Sequence, residues 1–214
     1  MAIQTRVVPY QCGDTSMDAY VAYDDAMTAP RPAVAVAHAW SGRSDFEEGK
    51  ARWLAELGYV GVALDVYGVG VRGTTIEENS TLMTRLVEDR PELQARLLSG
   101  IDAMAALPEV DSSRMAAIGY CFGGLSVLDI ARTGRDLRGV VSFHGLFMPA
   151  DNIANTPISA KVLCLHGYED PMVPPEAVTA LADELTKAGA DWQIHAFGHT
   201  AHAFTKVSGA APAI

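Results

Sequence analysis

The chain has 214 residues, 49% hydrophobic and 20% charged, the composition of an ordinary globular protein long enough to bury a core within one domain spanning 1–214. A formal charge of −10 argues against nucleic acid or an anionic membrane as partner, because both call for a basic footprint. No apolar run approaches the roughly 18–20 residues of a membrane span, and the start lacks a basic stretch followed by an apolar one, so the expected setting is cytoplasmic.

Residues 6–10 and 17–23, separated by Cys12-Gly13-Asp14, read as an N-terminal hairpin. Pro30 and Pro32 close a polar connector, and 33–38 is a short apolar run of the kind buried on both faces of a sheet. Helical spacing of apolar residues over 46–57 stops at Gly58, a natural C-terminal cap. The run 59–66 predicts the next strand, followed by a glycine-rich loop at 67–73. Helices are expected at 76–86 and 91–107, with Pro91 suited to a first turn and Pro108 ending the second. Strands at 115–119, 139–143, 161–166 and 191–197 then alternate with helices at 122–132 and 175–188. This rhythm implies an α/β fold, a mostly parallel sheet flanked by helices. After Phe197 only a loop and a small-residue tail remain, so a closing helix is not expected.

Ligands of open parallel sheets bind beyond the carboxyl ends of the strands. The residues just past the predicted strands are His38, Ala39 and Trp40, then Asp65 to Tyr67, Cys121 and Phe122, His144, and Gly167 to Asp170. His199 and His202 follow the last strand. Cys121 lies in Gly119-Tyr-Cys-Phe-Gly-Gly124, a G-x-C-x-G-G pattern expected to form a nucleophile elbow between strand and helix. The order Cys121, Asp170, His202 is the nucleophile–acid–base order of α/β-hydrolase triads. A thiol near pKa ~8.5 gains nucleophilicity when an imidazole takes its proton, and a carboxylate holds that imidazole in the right tautomer. The Phe122 and Ala39 N–H groups are the expected oxyanion donors.

With Gly167-Tyr-Glu-Asp-Pro171, Val173-Pro174 and His202-Ala-Phe204, the elbow resembles the dienelactone hydrolase family of α/β-hydrolases. The resemblance covers nearly the whole chain. It implies hydrolysis of lactones and small esters through Cys121, His202 and Asp170, with no metal and no organic cofactor. It also implies a glutamate at the strand end before the oxyanion loop, where this sequence has His38. Finally, it implies two arginines on a substrate carboxylate; Lys206 is the candidate for one cation and Arg72 or Arg85 for the other.

Other readings stand beside these. Cys121 on this scaffold could serve a thiol-sensing or binding protein, and the same triad could serve a thioesterase or peptidase. His199 competes with His202, and Glu169 with Asp170. His38 is open to a pocket role or a structural one, Trp40 is expected to wall the pocket, and His144 is a further pocket candidate. The remaining histidines lack metal-ligand spacing. Cys12 and Cys164 read as a turn residue and an inert buried thiol, and the three cysteines suit a reducing compartment.

Overall fold

In the computed structural model, which describes residues 2–154 and 156–205, the alternation of elements forms an eight-stranded sheet. The strands are β1 (Ile3–Cys12), β2 (Thr15–Asp24), β3 (Arg31–Ala37), β4 (Val60–Leu64), β5 (Val110–Tyr120), β6 (Gly139–Phe143), β7 (Lys161–Gly167) and β8 (Trp192–Phe197). Their spatial order is β1-β2-β4-β3-β5-β6-β7-β8. β1 and β2 make the N-terminal hairpin, β2 pairs antiparallel with β4, and the other neighbours are parallel. The fold is α/β and of the α/β-hydrolase kind.

The helices are α1 (Asp45–Glu56), α2 (Ile76–Glu88), α3 (Arg90–Ala105), α4 (Phe122–Arg132) and α5 (Pro175–Lys187). Ser44 with Glu47, and Thr75 with Glu78, form capping boxes that start α1 and α2. Each satisfies backbone N–H groups that a helix start leaves without partners. One sheet face packs on α3, α4 and α5 through Leu93, Leu97, Ile101, Leu125, Leu128 and Leu181. The other packs Ala22, Val34, Val36 and Ala63 under Ala51, Leu54 and Ala55 of α1. On that second face Ile118, Val141 and Leu163 stay half-buried. The expectation about a closing helix concerns 206–214, which lie outside the described residues.

One strand is longer than the 115–119 expected. β5 begins at Val110, opposite Arg31, and passes through a register shift before Ala33 meets Met115. The polar run Asp111-Ser-Ser-Arg114 fills the irregular stretch between these two paired positions, and the Asp111 carboxylate accepts from the Ser113 N–H and the Arg114 side chain. Buried charges then fix α4 in place: Asp129 takes Arg90 and Arg132, and Arg132 reaches Glu184 of α5 at 2.6 Å. Such a network stabilises little against an apolar alternative, but losing one partner would strand a buried charge.

Candidate active site

The turn between β5 and α4 is constrained backbone at the sheet's carboxyl end. Cys121 has φ 56° and ψ −114°, a conformation that L residues avoid. The turn closes because glycines surround it. A Cβ on Gly119 would meet the Gly123 carbonyl, and one on Gly123 would meet the Ala37 carbonyl. The Cys121 N–H donates to Phe143 O at 3.1 Å and to His144 Nδ1 at 3.2 Å. The thiol is thus raised at the start of α4, while the Phe122 N–H has no acceptor among the described residues.

Asp170 and His202 meet above this turn. Asp170 is buried, and its two oxygens are both used: Oδ1 accepts the Met172 N–H at 2.9 Å and Oδ2 accepts His202 Nδ1 at 2.6 Å. The loop carrying His202 lies directly on the end of β7, where a Cβ on Gly167 would strike the Thr200 and Ala201 carbonyls. Burial opposes the charged form of His202, but the Cys121 thiol and then Asp170 outweigh it and push the pKa up to about 9. The buried Nε2 nevertheless has no formed hydrogen bond among the described residues. The thiol thus acts on the ring without a formed hydrogen bond, a looseness common before substrate arrives. The competing pair, His199 and Glu169, lies 3.2 Å apart and out in solvent.

A cavity of about 500 Å³ opens over Cys121. Its walls include Ala39, Trp40, Phe46, Met83, Tyr120 and His144, with Met172, His202 and Thr205 at the side of the histidine loop. His144, at φ 39°, accepts the Cys121 N–H on Nδ1, so its Nε2–H donates to Thr205 Oγ1 at 2.7 Å. It therefore links the elbow to the loop that holds His202. Trp40 lines the cavity and accepts the Tyr67 hydroxyl on its carbonyl at 2.8 Å.

His38 is not in the cavity. It is wholly buried, donates from Nδ1 to Ala39 O at 2.7 Å and accepts the Val66 N–H on Nε2 at 3.1 Å. Burial lowers its pKa, keeping the ring neutral in this fixed tautomer. Both ring nitrogens are used in bonds to the backbone. A carboxylate does line the cavity, and it comes from α1. Glu47, 2% exposed, lines the cavity and accepts the Ala39 N–H at 3.2 Å, the Ser44 N–H at 2.9 Å and the Ser44 hydroxyl at 2.7 Å. The Ala39 N–H is consequently engaged in this structure rather than open. Glu47 was missed because it belongs to a helix's first turn; Ser44-x-x-Glu47, a capping-box spacing, was the available signal.

The arginine candidates do not reach the cavity. Arg85 points out from α2 and clasps both oxygens of Glu92 at 2.8 Å. Arg72 is exposed in the loop over Gly42 and is not part of the lining. Both are near the site in sequence, but the phase of α2 turns Arg85 toward Glu92. Lys206 lies outside the described residues.

Comparison with known proteins gives the same fold and chemistry class. Residues 17–212 match the model of the dienelactone hydrolase family. The chain is 27% identical over 219 residues to the Yersinia pestis protein named "Putative carboxymethylenebutenolidase", covering 95% of this chain and 81% of that one. It is 36% identical to the solved dienelactone hydrolase-like promiscuous phosphotriesterase P91 from metagenomic libraries, with a TM-score of 0.91 over 96% of this chain and 86% of that one. A Bradyrhizobium protein named "Probable 2-oxo-3-(5-oxofuran-2-ylidene)propanoate lactonase" is 24% identical over 220 residues, 95% of this chain and 86% of its own.

Proposed function

The chain belongs to the dienelactone hydrolase family and is a carboxylic ester hydrolase, and from that premise we propose that it cleaves small-molecule esters or lactones through a thioester on Cys121. The observation that carries this reading is the position of His202, bonded to Asp170 at 2.6 Å and electrostatically coupled to the Cys121 thiol on its other side. Asp170 orients the imidazole and stabilises its cationic form. With the proton on His202, the Cys121 sulfur attacks the acyl carbonyl and forms a C–S bond. The carbonyl oxygen, now negative, is held by the Phe122 N–H, and by the Ala39 N–H once Glu47 releases it.

Collapse of this intermediate breaks the ester C–O bond, and the departing oxygen takes the proton from His202. Water then attacks the thioester while His202 accepts its proton; the carboxylic acid leaves and the thiol is restored. No helix among the described residues is long and apolar enough to cross a membrane. Three free thiols, Cys12, Cys121 and Cys164, support a reducing, cytoplasmic setting.

The test is Cys121→Ala assayed with 4-nitrophenyl butyrate. Turnover is expected to fall at least about 10³-fold, as when a triad nucleophile is removed, with the circular dichroism unchanged. Retained turnover would refute the role of Cys121. A second reading, attack of the same sulfur on a phosphotriester, draws support from the 36% identity to P91. Release of 4-nitrophenol from paraoxon, lost in Cys121→Ala, would establish it.

A further inference from the structure

The charge pattern of the cavity is not explained by hydrolysis alone. Trp40, Phe46, Met83, Tyr120 and Met172 make the wall largely apolar, and among the described residues the lining contains no arginine or lysine. Arg43 and Arg96, on neighbouring elements, are engaged elsewhere. Arg43 pairs with Asp18 and Glu48, while Arg96 binds Glu92 and the Val66 and Tyr67 carbonyls. His202, in the lining, is already bonded to Asp170 at 2.6 Å. Against this stands Glu47, buried in the lining, with both oxygens used as acceptors and one of them on the Ala39 N–H.

A substrate carboxylate entering here would lose its water, meet no side-chain fork of the Arg kind among the described residues, and share the space with Glu47. Like charges in a desolvated cavity repel far more strongly than in water. A neutral ester carries no such cost and gains from the apolar wall. Resting on the ester-hydrolase reading above, we infer that the site takes neutral esters with apolar or aromatic groups and discriminates against esters carrying a carboxylate, with Glu47 as the residue that sets the discrimination.

The test uses the full chain and two esters with one leaving group and equal acyl length, 4-nitrophenyl hexanoate and mono-4-nitrophenyl adipate. The neutral ester is expected to show kcat/KM at least about tenfold higher. Glu47→Gln, which also alters the acceptor of the Ala39 N–H and so acts on both esters, should narrow that ratio by about threefold or more. Met172→Lys, at a half-exposed position in the lining, should narrow it as well by supplying a cation, and does not depend on α1 folding correctly with Glu47 changed. A wild-type ratio of one or below would overturn the inference. A preserved preference that Glu47→Gln leaves unmoved would remove Glu47 as its cause. Failure of the ester reading looks different: neither ester would be cleaved at a rate that Cys121→Ala abolishes.

Discussion

Two histidine–carboxylate pairs hang from the same two loops at the ends of β7 and β8, and they are nearly identical in chemistry. Asp170 and His202 are 2.6 Å apart, with side chains 0% and 18% exposed; Glu169 and His199 are 3.2 Å apart, with side chains 56% and 98% exposed. The Asp170 carboxylate is held on its other oxygen by the Met172 N–H, so its direction is set before the histidine arrives. Around the Glu169 pair, water screens the charges and both side chains keep their freedom. The same residue types thus make an oriented, charge-coupled pair in one place and a solvated contact in the other. Burial and backbone anchoring decide between them.

The comparison breaks most sharply by removing each histidine. His202→Ala should lower kcat/KM for 4-nitrophenyl butyrate at least about 10³-fold, whereas His199→Ala should stay within about twofold. Equal losses would mean that the exposed pair participates. The acids should differ less widely: Asp170→Asn should cost about 10²-fold or more, and Glu169→Gln close to nothing in the same assay.

The pH profile sharpens the contrast further. The pKa of His202 in the folded protein is about 9, above the ordinary histidine value near ~6.5. Its proton is therefore fully bound below pH ~6.5 and lost as pH rises through about 9, and the stability it contributes follows the same course. Hydrolysis of an alkyl ester, whose leaving group needs that proton, should decline over this alkaline limb. Asp170→Asn should move the limb to lower pH, and Glu169→Gln should leave it in place; a limb insensitive to Asp170 would contradict the coupling. The smallest effect concerns His38. His38→Leu would leave the buried Val66 N–H without its acceptor, destabilising the fold by about 1–3 kcal/mol in urea unfolding. The preference between neutral and anionic esters should persist, since His38 lies outside the cavity.

Much of this arrangement was legible in the sequence because it rests on local signals. The apolar run 33–38 and the glycines around Cys121 declare a buried strand and a tight turn without any knowledge of neighbours. The order Cys121, Asp170, His202 follows from topology, since strand ends of a parallel sheet gather on one side. What could not be read depends on direction or on long-range pairing. Val110 joins β5 only through Arg31 opposite it, and the polar residues up to Arg114 are carried along between that pair and Met115. Arg85 is close in sequence to a cavity residue, Met83, yet helical phase turns it toward Glu92. Glu47 enters the cavity from a helix start rather than a strand end, where an inspection of strand ends does not look. His38 keeps a strand-end position while facing inward, because its Nε2 ties β3 to the turn after β4 through the Val66 N–H while Nδ1 bonds the adjacent Ala39 carbonyl.

The most direct measurement is intact-protein mass spectrometry, with peptide mapping, after rapid mixing with 4-nitrophenyl butyrate and an acid quench. The account predicts a butyryl adduct on the peptide carrying Cys121, and its loss in His202→Ala, while Cys12 and Cys164 stay unmodified. Cys164 is the internal control, because burial pushes its thiol up to about 12. Undiminished turnover in Cys121→Ala, with no acyl group on Cys121 in the wild type, would contradict it.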